Sequence, residues 1–480
     1  MISKKTLGLI LGPLMFVLIF FFFNFEGLSS EGKSILASTI WIAIWWVTEA
    51  IPIAATSLLP LILFPLTGGL SIELTSASYG DKYIFLYLGG FLIAIAIEKW
   101  NLHKRIALNI ILWVGSSLNR IILGCMIATA SLSMFISNTA TSVMMLPIAI
   151  AIVSQIKEGK KDNTFGKIIM LAIAYSASIG GVATIIGTPP NTILVGLIHN
   201  MYGYEIDFFE WFVFGFPVSI ILLSLCYFYL TRVAYKSELS SYDIKIEKIR
   251  ELKDKLGKIS YEEKRVLIVF ALTALCWILK KVLEIFIPFI DDTIIAIFFA
   301  TLLFIIPSNK KGRLINWDDS VGVPWGILIL FGGGLAIAKA FQESGLALWL
   351  GGQMESFEVL PFFFIILFTV AMINFLTEIT SNLATTAMIL PVLAPLSLGL
   401  NVHPFGLMVA AAVAASCAFM LPVATPPNAV VFGSGYLKIS DMFNKGFLMN
   451  IISIIIITLM VYFMLPLIWE IDLNSYPTNL

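Results

Sequence analysis

Charge is what this 480-residue chain has least of: only 12% of its residues are Asp, Glu, Lys or Arg, about half the share of a soluble globular domain. Too little is present to clothe an ordinary solvated surface, and no stretch reads as a separate soluble domain. Histidine and cysteine are scarce as well. His103, His199 and His403 fall far apart at predicted span ends or loops, where a solvated or interfacial role is the simplest reading. Cys125, Cys226, Cys276 and Cys417 lie in apolar segments without metal-like spacing, which excludes a disulfide framework and a zinc site and suits small packing residues. Neither a nucleophile with its base nor a metal cluster appears, so an enzyme is not expected. Lys plus Arg and Asp plus Glu are 30 each, so net charge points to no partner, and none of nucleic-acid type is expected.

Apolar length is what the chain does have. Hydrophobic residues make up 59%, Phe occurs 37 times, and mean hydropathy is +0.95. Runs such as 7–23 and 449–469 are each long enough to cross about 30 Å of hydrocarbon as a helix. The first follows Lys4 and Lys5 but has too long a core for a signal peptide and no small-residue cleavage site, so it is expected to remain as a first span. Hydropathy and turn signals give eleven spans, near 7–23, 34–50, 52–68, 83–98, 167–197, 210–231, 265–286, 291–307, 324–342, 405–432 and 447–469. Two more apolar stretches, 123–153 and 361–398, carry central polar clusters and Pro breaks, and read as re-entrant hairpins. The expectation is an all-α polytopic membrane protein.

Lys and Arg set its orientation. The segment from Arg232 to Arg265 is rich in Lys, including Lys236 and Lys245, whereas 199–211 has neither Lys nor Arg, which puts the first inside and the second outside. The N-terminus is then cytoplasmic and the C-terminus external, in a multi-pass protein of the plasma (inner) membrane. The interleaved Glu and Lys of 245–265 read as a solvated helical face. Trp45, Trp46, Trp100 and Trp211 mark interfaces or packing.

The chain repeats itself. SNTATSVMMLP at 137–147 matches SNLATTAMILP at 381–391 at an offset of 244, and the same offset pairs Gly89 and Gly90 with Gly333 and Gly334, which read as close helix-packing points. GTPPN at 187–191 and ATPPN at 424–428 follow at an offset of 237. Five crossings separate matched points, an odd number, so the second copy is expected upside down. The charges agree: EKWNLHKR follows the first Gly-Gly span, and QESGLALWLGGQ, without Lys or Arg, follows the second. An inverted repeat with helices broken near the midplane is the architecture of a secondary transporter.

Broken helices carry chemistry. Free N–H groups at the start of one half favour an anion, and free carbonyls at the end of the other suit a hard cation. Asn and Thr of the SNT cluster can donate to a carboxylate, while Ser and Asn oxygens can join carbonyls around sodium. Ser133 and Thr377 precede Ser137 and Ser381 by four residues, one helical turn. The paired prolines of Thr188-Pro189-Pro190-Asn191 and Thr425-Pro426-Pro427-Asn428 break their own spans and free carbonyls such as those of Gly187 and Ala424. A lone Ser-Asn-Thr is ordinarily interhelical glue, but its duplication argues for a site. Glu378 has two readings: a functional intramembrane carboxylate, or a hairpin-end group near water.

At these residues the sequence closely resembles the divalent anion/sodium symporter family, through YLGGFLIAIAIEKWNLHKRIAL, SNTAT, IGTPPN, SNLATTAMILP and ATPPN in family order. The resemblance implies a homodimer in which each protomer has a scaffold and a transport domain that slides like an elevator. The division expected is scaffold at 1–122 and 265–360, transport parts at 123–231 and 361–480, and a cytoplasmic linker at 232–264. By matching position, one sodium site would use Ser133, Ser137, Asn138 and the Gly187 carbonyl, and the other Thr377, Ser381, Asn382 and the Ala424 carbonyl. The anion would touch Asn138, Thr139, Thr188, Asn382 and Thr425. Leu383 departs from the family pattern, which often has Thr, and offers no hydrogen bond there.

The expected activity is inward transport of a C4-dicarboxylate such as succinate, malate or fumarate with more than one Na+. The site so read has no Lys or Arg, so adjacent sodium ions must supply the charge that a dehydrated dianion needs. A sodium-independent exchanger and a sodium-coupled carrier of sulfate or another inorganic anion are the alternatives within the fold. A channel suits two opposed hairpins less well, and a purely structural or receptor role would give ligand binding without flux.

Overall fold

The computed structural model describes residues 3–115, 117–154, 164–235, 247–310, 312–353 and 360–477. Lys236 and Lys245 of the basic segment lie outside them. The described residues contain helices and no strand, apart from one isolated bridge between Pro307 and Arg313. Seven helical stretches among them are long and apolar enough to cross a membrane, Ile72–Lys99 and Ile439–Trp469 being the longest, and six shorter apolar helices accompany them.

Helices named below are α1 (Lys4–Val17), α2 (Ser30–Thr48), α3 (Lys82–Lys99), α4 (Leu118–Ser133), α5 (Asn138–Val153), α6 (Thr164–Gly181) and α7 (Pro189–Tyr202). After them come α8 (Asp292–Ile305), α9 (Trp325–Glu343), α10 (Phe362–Leu376), α11 (Asn382–Gly399), α12 (Pro404–Ala415), α13 (Pro426–Phe432) and α14 (Ile439–Leu459). Three expected spans prove to be two helices divided at a proline. The stretch 52–68 divides into Ile53–Thr56 and Pro60–Leu66, 167–197 into α6 and α7, and 405–432 into α12 and α13. In each case a proline opens the second piece, because it fits the first helical turn but cannot continue a hydrogen-bond ladder.

Apolar composition favours helix everywhere, so local polar residues decide where each one starts. Asp81 caps α3 by accepting from Tyr83 N at 2.9 Å, and Ser137 caps α5 by accepting from Ala140 N at 3.3 Å. The stretches at 123–153 and 361–398 each form two helices joined by a short turn, α4 to α5 through residues 134–137 and α10 to α11 through 377–381. At the centre α6 is buried along nearly its whole length and packs on α4, α5 and α13. The glycine pairs are packing points: a Cβ on Gly89 would stand 2.8 Å from the Ala296 backbone of α8, and one on Gly333 of α9 would stand 2.7 Å from the Ser57 carbonyl.

Some polar residues differ from expectation. His103 and His403 are buried, not solvated: the His103 Nδ1 donates to the Ile97 carbonyl at 3.2 Å, and the His403 Nδ1 accepts from Phe405 N. Nor is 245–265 solvated throughout. Glu262 and Glu263 are buried, Glu263 pairs with Arg105 at 3.0 Å, and Glu262 accepts from the Ser308 hydroxyl and Asn309 N. Both departures have one cause, that a polar residue can be buried once a specific partner satisfies it, and the partner lies far away in sequence.

Candidate functional site

The α4–α5 turn is seated against the break between α6 and α7. Ser133, the last residue of α4, is fully buried and its hydroxyl donates to the Ala177 carbonyl at 2.7 Å. Asn138 opens α5, and the amide orientation that its surroundings satisfy turns Nδ2 toward Ser133 Oγ at 2.7 Å, the Ala177 carbonyl at 3.2 Å and the Gly187 carbonyl at 3.2 Å. Three oxygens thus converge on one neutral N–H donor group. Ser133, Asn138 and Gly187, which were matched to the first cation, are therefore neighbours, with Ser137 at the helix cap beside them.

The second half repeats this pattern. Thr377, fully buried at the end of α10, lies with its hydroxyl 2.7 Å from Asn382 Oδ1 and 3.2 Å from the Ala415 carbonyl. Ser381 precedes Asn382 without capping the helix. The TPPN segments are also held alike. Asn191 Nδ2 donates to the carbonyls of Gly181, Val182 and Thr184 at 3.3, 3.2 and 2.8 Å, and Asn428 Nδ2 to those of Ala418 and Leu421 at 3.2 and 3.0 Å. These amides hold each non-helical turn in place. Thr188 and Thr425 begin α7 and α13, and Thr425 Oγ1 accepts from Asn428 N at 3.2 Å. Thr188 Oγ1 also lies 3.5 Å from Ser416 Oγ, so the break in the first half meets the end of α12 in the second.

One cavity of about 880 Å³ receives both turns. Ser137, Asn138, Thr139, Thr188, Ser381, Asn382, Ala424 and Thr425 all line it. Ser133, Gly187 and Thr377 are buried and do not line it; Ser133 and Thr377 lie behind Asn138 and Asn382. Leu383 contributes an apolar patch to the wall. The polar helix starts of the two turns, set in a largely apolar cavity, can take the two ends of a small dianion, while the buried hydroxyl and carbonyl oxygens suit alkali cations.

The expectation of a pocket without lysine is overturned. Lys4 and Lys5 of α1 line the same cavity, as do Ser3, Thr48, Glu49, Ile53 and Ile327, and Lys4 Nζ reaches the Ile379 carbonyl at 3.4 Å. Motif spacing could not reveal this, because Lys4 and Lys5 come from α1, far in sequence from either turn.

Asn191 and Asn428 were visible inside the quoted motifs, yet their place as ties across the turn depends on the fold. Glu378 is not near water. It is 3% exposed and accepts four hydrogen bonds, from Phe419 N (2.7 Å), Met420 N (3.0 Å), Leu421 N (3.0 Å) and Asn450 Nδ2 (2.7 Å). The described residues hold no cluster of His, Cys, Asp and Glu that would grip a transition metal.

The model of the sodium:sulfate symporter transmembrane region matches residues 3–469. The chain is 50% identical over 484 residues to the sodium-dependent dicarboxylate transporter SdcS of Staphylococcus saprophyticus, covering 98% of this chain and 93% of that protein. SdcS of Staphylococcus aureus is 49% identical, with 98% and 94% covered. Among solved structures the fold resembles MtrF of Neisseria gonorrhoeae, with a TM-score of 0.60, 13% identity and 96% and 95% coverage. It also resembles the YdaH transporter of Alcanivorax borkumensis, with a TM-score of 0.61, 15% identity and 90% and 99% coverage. At those identities the two structures speak for the fold alone.

Proposed function

The chain belongs to the sodium:sulfate symporter family, and from that membership we propose that it is a multi-pass membrane carrier importing a C4-dicarboxylate together with sodium ions. Relatives about half identical along nearly the whole chain are sodium-dependent dicarboxylate transporters, which supports this choice of cargo and ion. The observation that carries the reading is the single cavity onto which both Asn-bearing turns open.

In this reading Asn138, Thr139, Thr188, Asn382 and Thr425 hold the dianion. Ser133, Ser137, Asn138 and the Gly187 carbonyl hold one sodium, and Thr377, Ser381, Asn382 and the Ala424 carbonyl hold another. Asn138 Nδ2, ringed by Ser133 Oγ and two carbonyls, marks the volume that the first cation would take, after which the amide turns its oxygen inward. The turns offer only neutral donors, and stripping water from a dianion there without compensating charge is unfavourable. Bound cations supply that charge, so each solute raises affinity for the other. Lys4 and Lys5 are exposed, so water screens them, and they assist approach rather than replace the cations.

The wider arrangement belongs to the same proposal: eleven spans, two re-entrant hairpins and an inverted repeat, in a homodimer of the plasma membrane with the N-terminus inside and the C-terminus outside. Residues 1–122 and 265–360 form the scaffold, 123–231 and 361–480 the transport domain, and 232–264 the linker. The transport domain moves past the scaffold as an elevator, which the presence of residues from both parts in the lining of one cavity supports. The test is uptake of labelled succinate into proteoliposomes with an inward sodium gradient or with choline in its place. Uptake only with sodium is expected. Equal uptake in choline would select the exchanger, and sodium-dependent uptake of labelled sulfate without uptake of succinate would select the inorganic-anion carrier.

A further inference from the structure

Glu378 is a buried carboxylate with no ion-pair partner among the described residues. All four of its hydrogen-bond partners are N–H donors, three of them consecutive backbone amides. Successive N–H groups form a concavity suited to an anion, and here the protein fills it with its own side chain. Because every partner donates and none accepts, the arrangement suits the ionised carboxylate rather than the acid.

Its position matters more than its satisfaction. Glu378 adjoins Thr377, and the turn it grips, Phe419 to Leu421, leads in three residues to Ala424 on the cavity wall. Asn450 of α14 supplies the fourth donor and so ties a third element to the same point. The matching position in the first half is Met134, where only a backbone carbonyl serves, accepting from the Thr184 hydroxyl. One half has a fixed negative charge beside its Asn turn, and the other has none.

We propose that Glu378 is a positioning residue for the second sodium site: it fixes the turn that brings Ala424 to the cavity and leaves beside that site a buried negative charge which the transported cation balances. A buried charge met only by dipoles is destabilising, and a cation in the adjoining site relieves it. The two sodium sites are therefore unequal, and the second fills at lower sodium concentration. This rests on the reading of the chain as a sodium symporter.

The experiment uses the full chain in proteoliposomes, titrating sodium at saturating succinate and succinate at saturating sodium. The rise in thermal midpoint with sodium is measured alongside in detergent. Glu378→Gln keeps size and removes charge. It is expected to raise half-saturating sodium about tenfold and to diminish the sodium-dependent thermal rise, while the succinate KM at saturating sodium changes less than about twofold. An unchanged sodium requirement, or equal shifts in both constants, overturns the proposal. Asn450→Ala removes that donor, together with the Oδ1 that accepts from Phe419 N at 3.2 Å, and keeps the charge, so it serves if Glu378→Gln yields no folded protein. Its expected effect is a shift of about two- to threefold in sodium half-saturation alone, and no shift, or an equal shift in succinate KM, counts against the proposal. Wild-type uptake indifferent to sodium would instead sink the symport reading, so the two failures are told apart.

Discussion

In the first half of the chain the turn at Asn138 rests on glycine. A Cβ on Gly181 would come 2.5 Å from the Asn138 amide, and one on Gly187 would overlap the Gly181 carbonyl. In the second half the corresponding residues are Ala418 and Ala424, and the turn at Asn382 is fastened by the Glu378 carboxylate. The polar skeleton is shared: a hydroxyl one turn before the motif, an Asn five residues after it, and a second Asn tying down the TPPN break. What differs is how the skeleton is pressed together. Two glycines inside the skeleton, Gly181 and Gly187, serve one half, and a buried charge with its donors serves the other, while a helix glycine presses on the turn in both, Gly215 on the Val182 carbonyl and Gly446 on the Phe419 carbonyl. Duplicated sites can thus keep one ligand geometry while acquiring different cation affinities.

The largest expected effect tests the shared part. Asn138→Ala and Asn382→Ala should each lower succinate uptake by about a hundredfold or more while leaving protein that elutes as wild type, since each removes a proposed dianion donor and cation ligand together. Normal transport in either would show that its half does not contribute. Next comes the part that differs. Gly187→Ala should lower the thermal midpoint by an amount equivalent to about 1–3 kcal/mol, because the added methyl has no room beside the Gly181 carbonyl. Ala424→Gly, its mirror, should change stability by less than about 1 kcal/mol; equal effects would erase the distinction between the halves.

Asn191→Ala and Asn428→Ala should each destabilise by about 1–3 kcal/mol, by leaving turn carbonyls unsatisfied. Asn191 is expected to be the larger, since it serves three carbonyls and Asn428 two. The smallest effect is at the rim. Lys4→Gln with Lys5→Gln should raise succinate KM about two- to threefold at low ionic strength, and the difference should fade as choline chloride is added at fixed sodium. A difference that persists in high salt would mean direct contact with the anion.

Much of this was legible in the sequence because duplication is a strong signal. Two SN-x-AT clusters and two TPPN segments at nearly constant offsets located the helix breaks and the polar turn residues that line the cavity. What the sequence could not show has a physical reason. The burial of Glu378 depends on donors from residues 419–421 and 450, and no pattern near position 378 announces them. Lys4 and Lys5 stood out only as the charges before the first span, yet the packing of α1 on α2 sets their end of the helix on the cavity wall. His103 and Glu263 looked solvated for the same reason: burial of a polar group is decided by a distant partner.

The most direct measurement of the central claim, that the two turns form one site holding a dianion only in company with cations, is equilibrium binding of succinate to the purified protein across a sodium titration at constant ionic strength. The account predicts affinity that rises steeply with sodium and no measurable binding in choline alone. Succinate binding of equal strength with and without sodium would contradict it.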